Sequence, residues 1–267
     1  MGSSVSLRGV ARVFQARGAA RPALADVSIE VRAGEFVCIV GPSGSGKSTL
    51  LDLVAGHARP DAGEVLVDGA PVTAPGPDRI VVFQEHALFP WLTVRANVEF
   101  GLRATGVPEP QRRAASDAWL ARVGLAASAD LFPHELSGGM RQRAALARAF
   151  ALSPSVLLMD EPFSAIDAPS RDRLHVELQT LWSDTGTTII FVTHNVREAV
   201  ALGDRVVVLS SGPGRVLSSV DVNLPRPRVV ESSHVVDLAQ HVRGLIDEAD
   251  QLGIDAPRIG EDSHVVI

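Results

Sequence analysis

Residues 41–49 combine glycine, lysine and hydroxyl side chains at a spacing that suits phosphate binding. The glycines let the backbone curl so that successive N–H groups face inward, and the positive end of a following helix adds to the attraction for anions. Lys47 can reach the outer phosphates of a nucleotide, and Ser48 can present its hydroxyl to Mg²⁺. The sequence therefore predicts a nucleoside triphosphate site made by Gly41, Pro42, Ser43, Gly44, Ser45, Gly46, Lys47, Ser48 and Thr49.

Polar side chains follow several short apolar runs at the point where each run stops. These runs occupy residues 36–40, 80–83, 156–159 and 188–192. Continuous apolar strands are typical of a parallel sheet that is covered on both faces, and ligands bind beyond the carboxyl ends of such strands. We therefore expect one edge of the sheet to gather Lys47, Gln84, Asp160, Glu161 and His194.

These side chains suit phosphoryl transfer to water, which needs a phosphate clamp, a metal and a group that orients the attacking water. Asp160 suits the Mg²⁺ shell, and Glu161 is the best candidate base for the water. Gln84 could help to hold the metal, and His194 could bond the γ-phosphate. A helix-capping Asp-Glu pair and a buried structural histidine are the alternatives, but the strand-end positions favour the functional interpretation.

Composition restricts the class of protein. The chain has 267 residues, of which 46% are hydrophobic and 21% charged, as in globular proteins. The net charge of -6 does not favour nucleic acid as the main partner. Cys38 is the single cysteine, so no disulfide can form within the chain, and its apolar neighbours predict a buried thiol. No apolar run approaches the roughly 18 residues of a membrane span, so a partner would have to hold the protein at a membrane.

The remaining chain alternates between strand-like and helix-like patterns. Period-2 alternation predicts antiparallel strands near residues 5–13, 27–31 and 64–68. Helices are predicted near residues 94–100, 110–123, 141–152, 171–182 and 196–202, with Thr93 capping the first. A late strand is expected at 205–210, an extended linker at 224–228, and a tail helix with apolar positions from 235 to 252.

Two features of the sequence each allow two interpretations. Phe14 ends the first predicted strand and could stack on an adenine ring or belong to the core. Ser137 resembles an N-cap, and Gly138 and Gly139 leave backbone amides open beside it. This segment is either a second phosphate-type helix start or an ordinary capped helix.

The order of these motifs resembles that of ATP-binding cassette (ABC) ATPases. The resemblance covers about residues 5–224 and rests on segments 41–49, 136–142, 156–162 and 164–167 together with Gln84 and His194. The Ser-Gly-Gly signature at 137–139 separates this family from other P-loop enzymes. Segments 83–94, 213–215 and 224–228 further resemble the nitrate, sulfonate and taurine importer branch.

This resemblance implies an α/β fold with a mostly parallel P-loop (RecA-like) sheet core, an antiparallel β subdomain and an inserted α-helical subdomain. We expect the nucleotide-binding domain to span residues 1–224, with the helical subdomain at about 87–152. Residues 225–267 would form a linker and the tail helix.

The resemblance also implies the ATPase subunit of a bacterial importer that uses ATP and Mg²⁺. Glu161, His194 and Lys47 would be catalytic, while Ser48, Gln84 and Asp160 would hold the metal. Phe14 would stack on the adenine. The transported solute is suggested only by this analogy, because such a subunit does not touch it.

The implied partners are a second copy and a membrane permease, with no nucleic acid. In a head-to-tail homodimer, Ser137, Gly138 and Gly139 of one copy would close over ATP held by Lys47 of the other. The permease would dock near residues 89–92, and a periplasmic or surface solute-binding protein would be an indirect partner. The subunit would then lie peripherally on the cytoplasmic face of the cell membrane.

Two other functions compete with this interpretation. A soluble ABC ATPase of repair or translation would need no permease, but such proteins usually carry tandem cassettes or long coiled-coil insertions, and this sequence has neither. A soluble P-loop kinase is disfavoured by residues 136–142 and by the lack of a recognisable acceptor site.

Overall fold

Two β-sheets organise the chain in a computed structural model, which describes residues 1–16, 19–84 and 87–251. The smaller sheet has four antiparallel strands in the order β2-β1-β4-β5. Its strands are β1 (Val5–Ala16), β2 (Ala19–Val31), β4 (Ala62–Val67) and β5 (Ala70–Pro71). The three segments in which apolar and polar residues alternate therefore form antiparallel strands, as predicted. Such alternation is typical of antiparallel strands that bury one face and expose the other.

The larger sheet has six strands in the order β10-β9-β3-β8-β7-β6. They are β3 (Phe36–Val40), β6 (Arg79–Val82), β7 (Val156–Asp160), β8 (Thr188–Val192), β9 (Arg205–Leu209) and β10 (Val216–Asp221). All neighbours are parallel except the β9–β10 pair. The four apolar runs thus form adjacent parallel strands, although β6 stops at Val82 and leaves Phe83 exposed.

Seven α-helices connect or follow these strands in the described residues. They are α1 (Lys47–Ala55), α2 (Val94–Ala104), α3 (Glu109–Arg122), α4 (Gly138–Ala151), α5 (Ala168–Thr185), α6 (Val196–Leu202) and α7 (Ser233–Gln251). Thr93 caps α2 by accepting from the Ala96 N–H at 3.2 Å. Helices α2, α3 and α4 pack on one another between β6 and β7 in the chain, where the helical insertion was expected.

The central strands divide their side chains between two cores. In β3, Val37 and Ile39 belong to a core shared with α1 and the smaller sheet. Phe36 and Cys38 face the opposite core, with α4, α5 and α6. Each fully buried aliphatic or aromatic side chain contributes about 1.5–3 kcal/mol of transfer free energy, so a strand buried on both faces firmly anchors the loop at its carboxyl end. The Cys38 thiol is buried, as predicted, and burial raises its pKa.

The segment after β10 is bound tightly to the rest of the chain. Arg228 is buried and donates to the carbonyls of Leu224, Val200 and Val222 at 3.0, 3.1 and 3.0 Å, and to that of Gly203. Burial lowers the pKa of this guanidinium to about 10. The linker expected at 224–228 is therefore an anchored connection to α7, and the division of the chain at residue 224 stays a prediction.

None of the helices in the described residues is long and apolar enough to cross a membrane. The predicted apolar positions of the tail helix from Val235 to Ile246 lie in α7, whereas Leu252 is outside the described residues.

Candidate functional site

The glycine-rich loop lies between β3 and α1, at the carboxyl edge of the larger sheet. The Lys47 ammonium is turned back over the loop, where Nζ donates to the carbonyls of Gly41 and Pro42 at 2.8 Å each and to Ser45 Oγ at 3.3 Å. The side chain is mostly buried, at 8% exposure. This charge is therefore held in place by the backbone that would surround a phosphate.

Gly46 shows why the loop needs glycine immediately before the helix. Its φ of +83° lies in the left-handed region, and an added Cβ would stand 2.5 Å from Leu24 Cδ2 and 2.7 Å from the Ala23 carbonyl oxygen. A side chain here would force the loop away from β2. Glycine lets the loop pass close to β2 and lead directly into α1. The first hydrogen bond of this helix joins the Leu50 N–H to the Gly46 carbonyl at 2.8 Å.

Asp160 ends β7 beside the start of α1. Burial raises the pKa of its carboxyl group, while a hydrogen bond with the Ser48 side chain and the charge of Lys47 oppose that rise. The two metal-ligand candidates Ser48 and Asp160 are thus in direct contact. Gln84 is exposed two residues after β6, which pairs with β7 in the sheet.

Glu161 follows in a backbone conformation that non-glycine residues rarely adopt, with φ of +44°. Its N–H donates to the Val192 carbonyl at 2.9 Å, which ties it to the end of β8. Its Oε2 lies 2.9 Å from His194 Nδ1, and the glutamate side chain is 25% exposed. The neighbouring strands β7 and β8 therefore bring the candidate base and the candidate γ-phosphate ligand together.

Electrostatics link this pair to the loop. Burial lowers the pKa of the Lys47 ammonium, and the negative charges of Glu161 and Asp160 partly offset that effect. Lys47, Asp160, Glu161 and His194 consequently form one group at the sheet edge, as the strand-end argument predicted for these positions.

Behind His194 lies a buried polar relay that the sequence analysis did not identify. The Thr193 hydroxyl donates to Glu198, whose other carboxylate oxygen lies 2.7 Å from His175 Nε2. Glu198 and His175 are 5% and 2% exposed. They carry no motif and are separated by 23 positions, so only the packing of α5 against α6 could reveal the contact.

Ser137 caps α4 by accepting from the Met140 N–H at 3.3 Å. Ser137 itself is exposed, and nothing lies within 4 Å of where a Gly138 Cβ would stand. Among the described residues, no hydrogen bond or ion pair joins this helix start to Lys47 within one copy of the chain.

Phe14 does not belong to the core. Its ring is 45% exposed near the end of β1, and the Arg12 guanidinium carbon lies 5.2 Å from the ring centroid. An exposed aromatic face is available to a planar ligand, so one of the two interpretations of Phe14 is excluded and stacking stays a prediction.

The ligand atoms near the loop suit a hard cation. Ser48, Asp160 and Gln84 offer a hydroxyl, a carboxylate and an amide oxygen, which match the few protein ligands that Mg²⁺ takes besides water and substrate phosphates. In the described part of the chain, no group of three or more histidine, cysteine, aspartate or glutamate side chains forms an alternative metal site.

An aromatic cluster stands on the helical side of the molecule. Its rings are Phe89, Trp91 and Phe100, with Phe89 centred 4.4 Å from Phe100 and 5.6 Å from Trp91. Trp91 is 71% exposed. Asn97, which is fully buried, fixes the loop: Oδ1 accepts from the Phe89 N–H at 2.8 Å, and Nδ2 donates to three loop carbonyls at 3.0–3.1 Å.

Comparison with known proteins finds similarity over most of the chain. A protein-family model described as "ABC transporter" matches residues 24–164. A nitrate import ATP-binding protein, NrtD, of Synechocystis sp. is 49% identical over 214 residues, which cover 80% of each chain. A taurine import ATP-binding protein, TauB, of Yersinia pestis is 47% identical over 203 residues, which cover 76% of this chain and 80% of that protein.

A solved structure agrees with these matches. The dimeric structure of the ATP-binding cassette MJ0796 in a post-hydrolysis state, bound to ADP and phosphate, aligns with a TM-score of 0.73 at 32% identity. The alignment covers 83% of this chain and 100% of the other. Fold and sequence therefore point to the same family.

Proposed function

This chain belongs to the ABC transporter family and is an ATPase of that family, and we propose that it drives the import of a small solute through a membrane permease. The import role is supported by the relatives named as import ATP-binding proteins, and the observation that carries the ATP hydrolysis behind it is the group formed by Lys47, Asp160, Glu161 and His194 beside the glycine-rich loop. It combines an anion clamp, metal-binding oxygens and a base beside its positioning histidine, and hydrolysis of a phosphoanhydride requires all three.

The phosphates of ATP bind to the amides of residues 41–49, and the Lys47 ammonium exchanges loop carbonyls for phosphate oxygens. Phe14 stacks on the adenine. Ser48, Asp160 and Gln84 would hold Mg²⁺, which would supply positive charge beside the phosphate oxygens.

Glu161 accepts a proton from the attacking water. His194 holds the Glu161 carboxylate in position through the 2.9 Å contact and carries its other ring nitrogen toward the γ-phosphate. Because Glu161 N–H is tied to Val192, the base stays fixed while water attacks.

Hydrolysis requires a second copy of the chain in this proposal. Ser137, Gly138 and Gly139 leave free amides at an exposed helix start, remote from any bond to their own Lys47. In a head-to-tail dimer these groups close over the γ-phosphate held by the partner copy. The dimeric state of the MJ0796 cassette supports this arrangement.

The permease docks on the aromatic cluster of Phe89, Trp91 and Phe100. Trp91 is an exposed aromatic side chain on a loop that Asn97 fixes, which is the kind of anchor that dominates binding energy at protein interfaces. The subunit therefore lies on the cytoplasmic face of the membrane, held by its partner. The names of the relatives suggest nitrate or a taurine-like sulfonate as the solute, which a solute-binding protein would deliver.

Purification of the tagged chain from gently solubilised membranes of its own host tests this proposal. We expect a multi-span permease to accompany the wild-type chain, and Trp91→Ser to lose it while ATP binding is kept. Val229→Ser removes another exposed apolar side chain, in the linker, and should retain the permease. Recovery of only ribosomal or DNA-associated proteins would favour the soluble ATPase instead.

A further inference from the structure

A cavity of about 490 Å³ opens beside the nucleotide site, between α5, the start of α6 and the tail. Its wall includes Arg171, His175, His194, Arg197, Glu231 and Arg243. This volume falls within the range of small-ligand sites in proteins. Three different parts of the chain build the wall, so a ligand here would touch the tail and the nucleotide site together.

The wall carries more positive than negative charge. Three arginines face two carboxylates, Asp172 and Glu231, and Glu231 is already engaged by Arg197 at 3.4 Å. Arg171 and Arg243 form no ion pair with any residue in ranges 1–15, 19–84 and 87–248, whose side chains the structure describes. Guanidinium groups present paired N–H donors that match the oxygens of phosphate, sulfate, sulfonate and carboxylate groups.

A buried polar atom in the wall also lacks a partner. His175 is almost wholly buried, and its Nδ1 makes no hydrogen bond, although Nε2 lies 2.7 Å from Glu198. Buried ring nitrogens without a partner are uncommon and indicate a group that a ligand or water could satisfy.

We infer that this cavity is a regulatory site for a small oxyanion, and that an oxyanion bound between Arg171 and Arg243 slows ATP hydrolysis. The inference rests on the proposed role of the Glu161–His194 pair. His194 lines the cavity and also contacts Glu161, and a smaller pocket that contains Glu161 shares Arg171 and His194 with it.

The anion acts on turnover through His194 in this scheme. It draws the exposed His194 imidazole toward the cavity and away from Glu161, because a negative charge attracts the ring N–H. The cavity wall is also linked to this residue from behind, because His175 contacts Glu198, which accepts from Thr193, the residue before His194. The source of the anion is either phosphate released by hydrolysis or an anion taken from solution.

Calorimetric titration of sodium sulfate into the full chain, saturated with Mg²⁺ and a non-hydrolysable ATP analogue, tests the binding. The analogue occupies the phosphate loop, so any saturable sulfate site is separate from it. Arg243 lies in the tail, outside the hydrolytic group, and Arg243→Gln should weaken sulfate at least tenfold while ATPase activity without sulfate stays unchanged. Arg173→Gln makes the same charge change on α5 without lining the cavity, and should bind sulfate as the wild type does.

ATPase assays at constant ionic strength, with chloride replacing sulfate, test the regulation. Sulfate should slow the wild type and Arg173→Gln severalfold and leave Arg243→Gln unaffected. A parallel titration with phosphate distinguishes the source: binding of both anions identifies a general oxyanion site, and binding of phosphate alone identifies the hydrolysis product as the ligand.

The inference would be overturned if neither sulfate nor phosphate bound saturably, or if Arg243→Gln bound sulfate as tightly as the wild type. It would also be overturned by sulfate binding that appears only when the ATP analogue is omitted, because the anion would then occupy the phosphate loop. None of these measurements depends on permease binding, so the anion site and the proposed import function can fail independently of each other.

Discussion

At the scale of single residues, Glu161 combines an unusual backbone with a defined partner. A left-handed conformation at a glutamate costs on the order of 1–3 kcal/mol and persists only where neighbours fix it. The bond of its N–H to Val192 and the contact of its carboxylate with His194 do so here. This geometry sets the carboxylate at the sheet edge, beside Asp160 and Lys47.

Replacement of this carboxylate should separate binding from chemistry. Glu161→Gln keeps the shape of the side chain but removes the base, so turnover should fall about 10²–10⁴-fold. ATP affinity should persist, and ATP should trap the dimer. Turnover and equilibrium nucleotide binding measure the two effects, with the surface variant Glu109→Gln as control. Undiminished hydrolysis in Glu161→Gln would contradict the assignment.

At the scale of elements, two buried polar side chains hold loops against helices and strands. Asn97 in α2 binds the loop that carries Phe89 and Trp91, and Glu35 joins the start of β3 to Arg205 in β9 at 2.8 Å. Both are almost fully buried. Loss of either side chain would leave buried backbone or charged groups without hydrogen-bond partners. This lowers the free energy of unfolding more than the loss of an exposed hydrogen bond does.

Removal of the Asn97 amide should loosen the loop. Asn97→Ala abandons bonds to the backbone of Phe89, Leu92 and Thr93, and we expect the free energy of unfolding to fall by about 2–3 kcal/mol. The variant should also recover less permease. Urea denaturation and membrane co-purification measure both, and the exposed Asn223→Ala is the matched control. Normal stability together with normal permease recovery would refute the role of Asn97.

Glu35 should make stability depend on pH. Burial raises the pKa of its carboxyl group, but bonds and charges from Arg205 and Arg32 outweigh burial, so the pKa is lower in the folded chain than its ordinary 4.5. The stabilisation is therefore complete above the ordinary pKa and is lost as pH falls through the folded-state pKa.

Replacement by glutamine removes this dependence. Glu35→Gln should lower the free energy of unfolding by about 2 kcal/mol at pH 7, and the difference should shrink below about pH 4. Denaturation at several pH values measures the effect, with the exposed Glu64→Gln as control. A difference between Glu35→Gln and the wild type that stays constant down to acidic pH would contradict the ion pair as its cause.

At the scale of the whole molecule, the two phosphate-type helix starts of the chain serve different copies in the proposed dimer. Lys47 lies at the start of α1, whereas Ser137 caps α4 in the helical insertion. The tail returns to α6 and contributes Glu231 and Arg243 to the cavity beside His194. Nucleotide, second copy and tail thus meet around one sheet edge in the proposed assembly.

A bulky side chain at Ser137, at the start of α4, should block closure of the dimer without changing ATP binding. Ser137→Arg places a long side chain where the γ-phosphate of the partner copy would lie. ATP affinity should stay normal while turnover falls at least about a hundredfold, the scale of losing preorganised donors. Size-exclusion chromatography with ATP should detect monomers only. Ala127→Arg adds the same side chain elsewhere and should behave as wild type; a closed, active Ser137→Arg dimer would remove the requirement for a second copy.

Local patterns predicted most of the fold. Apolar runs of strand length, alternation in the smaller sheet and the caps at Thr93 and Ser137 depend on neighbours in sequence, so one sequence suffices to identify them. The strand-end rule also predicted that Asp160, Glu161 and His194 meet beside Lys47. It included Gln84 as well, which is exposed after β6 and forms no hydrogen bond with these four residues in the described part of the chain. The predicted strand at residues 80–83 extended one residue too far, because the apolar Phe83 continues the hydrophobic pattern but is exposed beyond the end of β6.

The sequence by itself determined the phosphate loop, the parallel strands and the polar residues after them, because hydrogen-bond geometry and burial link those features to short-range spacing. Only the tertiary structure decided the Glu161–His194 contact, the relay from Thr193 through Glu198 to His175, the anchoring of Arg228, and the arginine-lined cavity. These depend on side chains that are far apart in the chain, and their meeting is set by how α5, α6 and α7 pack on the sheet, which no local pattern encodes.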